Sequence, residues 1–320
     1  MSTIDKREYD ALTTGTAVMR RVDAGVLVLT DADRADFLQR MTTNNISALQ
    51  SGESTVTVLT NPMARILYVF GVVCRADDLL LLPDVGQTEA LARHLRSQIF
   101  FMDNVKVADA SAEYQRVRVM GPTATSTLAA IGFTLDDAAE GAWQLSHEVI
   151  AVKQDAYDVS GVELVVPTAQ VDAVIAQLIE AGGVFLNDDA AYNARRVELG
   201  RPLVNHEIGE PYTPLESGLA WTCAENKGCY TGQEIIARQI TYDKVTKTLV
   251  GLRSDAMLSV GANVKAGGTR SVGDVTSVAY SPALDAPIAL AVVKRPHNEP
   301  ATEVTIDDVP AQVVAFPFIS

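Results

Sequence analysis

The sequence is short of thiols, imidazoles and positive charge. Its 320 residues hold three cysteines, Cys74, Cys223 and Cys229. An odd, low count argues against a disulfide framework. Cys223 and Cys229 are separated by five residues, which is not a usual zinc spacing, and the four histidines (His94, His147, His206 and His297) are scattered. A structural zinc site is therefore not expected. Nor is there the four-thiolate set that holds an iron–sulfur cluster stably. Lysine and arginine total 26 against 40 aspartate and glutamate, giving a net charge of −14 and a pI of about 4.7. Non-specific nucleic-acid binding needs a basic surface and is not expected, which leaves room only for a local basic pocket. Uncharged apolar runs such as Leu79–Leu82 are too short to span a bilayer. Met1 to Asp10 is polar and charged, unlike a secretory signal. The expectation is a cytoplasmic protein with no membrane partner.

What is present is ordinary globular material. The chain is 48% hydrophobic and 21% charged, and its length suffices for two or three domains with real cores. Apolar runs bounded by turn residues predict strands at Val26–Leu29, Val56–Leu59, Ile66–Val73, Leu79–Leu82, Val105–Ala108, Tyr114–Met120, His147–Val152 and Ala156–Ser160. In Tyr114–Met120, Arg116 and Arg118 alternate with Val117 and Val119. Helical spacing predicts a helix over Gln87–Phe101, with Leu91, Leu95 and Ile99 in register, and another over Ala169–Glu180. A third is predicted from Asp188 or Asp189 to Gly200. Asp31 is placed to cap a helix carrying Phe37, Leu38 and Met41. From Thr248 onward, short apolar runs alternate with glycine and proline, the texture of a small β-barrel.

The stretch that carries chemistry is Lys227-Gly228-Cys229-Tyr230-Thr231-Gly232-Gln233-Glu234. Thr231 and Glu234 have the spacing of a capping box, which predicts a helix from Gly232 to about Ile240. Cys229 would then stand outside a helix N-terminus, where positive charge favours a thiolate, with Lys227 adding a full charge. The bland alternative is a tight loop around a small buried cysteine.

This stretch resembles the K-G-C-Y-x-G-Q-E motif of the YgfZ family, folate-binding relatives of the glycine-cleavage T-protein that act in iron–sulfur cluster maintenance. Other segments are similar to the same superfamily. Phe37 to Ile46 resembles its F-L-Q…T-N-D segment, with Asn45 where aspartate is usual. Gly161-Val162-Glu163-Leu164 resembles a G-x-E-[IL] strand whose glutamate receives the amino-pyrimidine edge of a pterin. A carboxylate can accept two such N–H donors, and Gly161 permits close approach of a backbone or ring. Arg195 to Pro202 resembles R-[IVL]-E-x-G-x-P, in which Arg196 matches the arginine that pairs with the glutamyl carboxylate of folate. Pro214 to Leu219 resembles the lead-in to the cysteine loop. By residue type alone, Glu163 reads equally as the solvated face of an edge strand, and Arg196 as an exposed helical arginine.

The resemblance implies an α+β fold: a folate-binding core over residues 1–245, with about 51–112 as an inserted subdomain, and a C-terminal β-barrel over 246–320. It implies a tetrahydrofolate-binding protein that assists assembly or repair of iron–sulfur enzymes. Its partners would be those enzymes or their assembly factors. Cys229 would be nucleophile or transient ligand, Lys227 its charge partner, and Glu163, Gly161 and Arg196 the folate contacts. One departure bears on activity. Where the T-protein has T-N-x-x-G-G-I-x-D-D, this chain reads Thr60 to Val69, with Tyr68 and Val69 replacing both carboxylates. Tyrosine, with a pKa near 10, is a poor acid/base group for methylene transfer. Aminomethyl or methyl transfer is the rival reading. A structural module without ligand is the third.

Overall fold

The computed structural model describes residues 4–267 and 270–319. Two antiparallel-rich sheets and a barrel account for the strands. The first sheet runs Val184–Phe185, Ala17–Arg20, Tyr114–Met120, Gly161–Pro167, Val149–Gln154, Trp143–Ser146 in spatial order. The second runs Ser54–Thr60, Ile66–Cys74, Leu79–Pro83, Leu27–Thr30, Lys106–Asp109, so its strands come from residues 27 to 109. Lys247–Ser254, Ala286–Lys294, Arg270–Ser281, Asn263–Ala266, Glu303–Ile306 and Val309–Val314 close into a six-stranded barrel. The chain is thus α+β with a C-terminal barrel, as its sequence texture predicts.

Strand periodicity sets the layers. Val162, Leu164 and Val166 face the helices Ala124–Ala129 and Val171–Glu180, whose Leu128, Val174, Ile175 and Leu178 complete that core. Val165, on the opposite face, joins Val26, Val73, Leu80, Leu82, Ile150 and Val152, where the two sheets meet. Because side chains alternate across a strand, Glu163 shares the inner face with Val165. Register places Glu163 opposite Arg118, and Val165 opposite Arg116. The central position of Gly161–Pro167 in its sheet removes the edge-strand reading of Glu163.

Three local expectations differ. The helix predicted to reach Phe101 spans Thr88–Ser97 only. Ala156–Ser160 is a bend rather than a strand, because Asp158 takes a positive φ of 68° and turns inward to bind arginine. Asp31 is not a cap, since the helix Arg34–Met41 follows Asp33.

Candidate functional site

Glu163 is wholly buried. One of its carboxylate oxygens accepts from Arg116 Nε at 2.7 Å and the other from Arg21 Nε at 3.2 Å, with Arg118 Nη1 at 3.9 Å. Asp158 pairs with Arg21 and accepts from Tyr192 Oη at 2.7 Å. Arg118 also donates to the carbonyls of Gln154 at 2.7 Å and Val159 at 2.6 Å. Neighbouring guanidinium groups hold both Glu163 and Asp158 below the usual carboxylate range, against the opposing effect of burial. Burial and nearby carboxylates push the Tyr157 and Tyr192 phenols well up. The cluster is an internal ion network between the two sheets.

Gly161 is required by its own neighbours. A Cβ there would stand 2.1 Å from the carbonyl oxygen of Val119, so the glycine admits the adjacent strand. Arg196 is buried on the helix Ala190–Glu198 and donates to Ser277 Oγ of the barrel at 2.9 Å and to the Arg201 carbonyl at 3.2 Å. Glu207 lies 3.6 Å from it and accepts from Ser277 Oγ at 2.6 Å. Arg196 therefore ties helix to barrel. Glu163 and Arg196 belong to separate polar clusters, and both are buried and paired with protein groups, so neither is the solvated surface charge that residue type alone allowed.

The cysteine loop is built differently from its sequence expectation. The helix Gln233–Thr241 forms, but its N-cap is Gly232 at φ 85°, with no side-chain cap. The capping box fails because Thr231 stands one residue too early, and Glu234 pairs with Arg238 one turn on. Gly232 is needed for packing: a Cβ would lie 2.8 Å from both Asn61 O and Thr60 Oγ1. Thr60 Oγ1 also donates to the Thr231 carbonyl at 2.6 Å. The loop thus rests on the Thr60–Ala64 turn, bringing together two segments far apart in sequence.

Lys227 does not turn to Cys229. Its ammonium donates to the Thr42 carbonyl and, at 2.7 Å, to the Asn44 carbonyl, and lies 4.8 Å from the centre of the Tyr230 ring. Burial lowers its pKa to about 8. The thiol that feels its charge is Cys223, which burial nevertheless pushes up to about 11. Thr43 Oγ1 donates to the Thr222 carbonyl at 2.8 Å, fastening the same region. Cys229 itself is exposed, which removes the buried-cysteine reading. Lys227 pins the loop, and Cys229 is presented at its surface.

At the two positions that lack carboxylates, alternation separates the side chains. Tyr68 packs at 5.7 Å from the His94 ring, on the face of the helix Thr88–Ser97. Val69 is buried with Val56, Val58, Ile66, Val204, Ile208 and Leu219. Both serve packing. The residues that sequence reasoning missed are Arg21, Asp158 and Tyr192 in the ion network; Thr42 and Asn44 lie in the Phe37–Ile46 segment, but their part, through backbone carbonyls, was not legible there. The Arg116/Arg118 alternation was the available signal for the network.

Comparison with known proteins accounts for this architecture. The GCVT N-terminal domain profile matches residues 1–227, and the glycine cleavage T-protein C-terminal barrel domain profile matches 247–319. A putative chloroplastic transferase of Arabidopsis thaliana is 25% identical, covering 99% of this chain and 74% of that protein. An aminomethyltransferase of Saccharopolyspora erythraea is 27% identical over 98% of this chain and 89% of its own length. The crystal structure of glycine cleavage system aminomethyltransferase T from Bartonella henselae superposes with a TM-score of 0.88, covering 98% of this chain and 89% of that one at 19% identity, a likeness of fold. The chain belongs to the glycine-cleavage T-protein family.

Proposed function

We propose that this family member is a YgfZ-type accessory protein, which assists assembly or repair of iron–sulfur enzymes through Cys229, rather than an aminomethyltransferase. The observation that carries the reading is the cysteine loop. Its thiol is exposed, while the backbone around it is fixed by Lys227 on one side and by Thr60 on the other. A thiol held this way is open to a partner protein and can act as nucleophile or transient ligand to a cluster iron on it. The chain has no thiolate set to keep a cluster itself. The absence of a carboxylate at Tyr68 and Val69 points away from methylene transfer, for which acid/base assistance is needed.

Tetrahydrofolate is the ligand the family resemblance names. A pterin offers paired N–H donors, and a planar guanidinium offers the same pattern. In this chain Arg116 and Arg21 already supply those donors to Glu163. Glu163 as it stands does not fit the pterin edge. Folate is therefore proposed as a ligand that must compete with these arginines, not as one received in a preformed clamp.

The test of the function is rescue of a strain lacking this gene, read as iron–sulfur enzyme activity under oxidative stress. Wild type should restore activity and Cys229→Ser should not, with equal thermal stability of the two proteins. Full rescue by Cys229→Ser would make the thiol dispensable and end this reading. The rival reading is tested by methylene-tetrahydrofolate formation from an aminomethyl-lipoyl carrier. Turnover of about 1 per second or more, within the ordinary enzyme range, would establish it.

A further inference from the structure

The helix that ends at Ser97 leaves Phe100, Phe101 and Met102 outside it, and the three are 66%, 97% and 77% exposed. A soluble chain normally tucks such a run inward, and clustered exposed apolar groups mark interaction sites. Here the loop is held in its outward form. Phe100 N donates to Asp103 Oδ2 at 3.0 Å, and Asp103 N donates back to the Phe100 carbonyl at 2.9 Å. Arg40 Nη2 binds Asp103 at 2.8 Å. Asp33 N donates to the Asn104 carbonyl at 2.9 Å, and Asn104 N donates to Asp33 Oδ2 at 2.7 Å. Two of these bonds close the turn, and three tie it to the helix Arg34–Met41 and its cap. The apolar side chains take no part in any of them.

We propose that Phe100, Phe101 and Met102 form a preorganised docking knob for a partner protein that offers an apolar pocket in a positively charged surface. Phenylalanine and methionine are enriched at interface centres, and methionine adapts to irregular pockets. A fixed loop avoids the ordering cost that a mobile one meets on binding. Charge selects the kind of partner. Beside the knob stand Asp33, Asp36 and Asp103, with Arg40 paired to the last two. Asp31 and Lys106 pair with each other, and Arg34 keeps its charge while donating to the carbonyls of Asp31 and Ala76, so four carboxylates stand against three cations here and the net charge of the chain sets the sign of the field. The whole chain carries −14. An anionic lipid surface, a nucleic acid and a second copy of this chain are all repelled by such charge, whereas a basic protein is attracted.

Position gives the knob its use. The helix it is tied to runs directly into Thr42 and Asn44, whose carbonyls hold Lys227. A protein docked on the knob therefore sits against the element that anchors the Cys229 loop. The docking itself is independent of what that thiol does.

The experiment places the photoreactive residue p-benzoylphenylalanine at position 101 of the full chain in its own cells, with position 22 as control, since Val22 is also an exposed apolar residue, at 66%. Adducts specific to position 101 are identified, and the captured protein is purified and titrated by calorimetry. Expected is saturable binding that weakens as salt rises and that Phe101→Ser reduces by roughly 30-fold or more, the scale of an interface hot spot. Unchanged melting of Phe101→Ser keeps folding out of the comparison. Adducts no different from the control, adducts only with lipid or with a second copy of the chain, or equal affinity of wild type and Phe101→Ser would each overturn the proposal. Whether the captured protein carries an iron–sulfur cluster bears on the proposed function alone.

Discussion

Glu163→Gln removes the negative centre of a buried ion network while leaving its shape almost unchanged. Arg116, Arg21 and Arg118 surround that carboxylate; Arg116 and Arg118 are buried, and the Arg21 side chain is only 8% exposed. Breaking a buried ion pair on one side costs about 3–5 kcal/mol, because the remaining charge is left uncompensated. The glutamine carbonyl retains one acceptor, and Asp158 still serves Arg21, so the lower part of that range is expected. At about 2–4 °C per kcal/mol for a domain of roughly 200 residues, the midpoint of thermal unfolding falls by about 6–12 °C. A solvated carboxylate at an open pocket would give a change within about 0.5 kcal/mol. Urea unfolding distinguishes the two, with far-UV circular dichroism as the signal. Arg116→Met in the Glu163→Gln background should recover part of the loss, since the stranded charge goes with it. The pH dependence has a definite sign. The folded carboxylate sits below its unfolded value, so its stabilisation is present above a pH of about 4.3 and is lost as pH falls through the folded pKa. The wild type should therefore lose more stability than Glu163→Gln on acidification. A variant as stable as wild type at pH 7 would refute the reading of Glu163 as a structural charge.

Further outcomes follow from the same geometry. Iodoacetamide should label Cys229 first because it is exposed, Cys74 more slowly because burial raises its thiol pKa, and Cys223 last, its thiol being pushed up to about 11; peptide mass spectrometry across a pH series reads the order. Lys227 is lowered in the fold to about 8, so between that value and about 10.4 the unfolded chain binds more protons and this residue's contribution to stability rises with pH. Lys227→Met should flatten that rise relative to wild type in urea titrations at pH 7.5 and 9.5, and a parallel pH response of the two proteins would contradict it. Tetrahydrofolate titrated by calorimetry should bind Arg116→Met more tightly than wild type if the arginine competes for Glu163; equal affinity would show that the ligand does not reach this carboxylate. Arg196→Ala should loosen the barrel from the core, seen as faster amide exchange at Ser277 and the strand around it, where its guanidinium now donates.

The sequence by itself determined a good deal. Apolar runs bounded by turn residues located the Ile66 and Leu79 strands to within a residue, and the alternating Tyr114–Met120 residue for residue, because a strand's burial is written in its local residue types. The glycines of the cysteine loop and the tyrosine at position 68 were legible as residue types with restricted uses. The tertiary structure decided what these residues touch. Arginine alternating with valine reads as a half-solvated strand, yet a second sheet covers the polar face, and buried Arg116 and Arg118 then need carboxylates, Glu163 from the neighbouring strand and Asp158 from the bend before it. Thr231 and Glu234 have the spacing of a cap, but packing of Gly232 on the Thr60–Ala64 turn moved the helix start by one residue. Lys227 is close to Cys229 in sequence, yet its charge was claimed by two backbone carbonyls nearly 200 positions away, at 183 and 185 residues' separation. Local pattern sets the elements because it acts within a few residues; pairing of buried charge is long-range, and only the assembled fold brings those partners together.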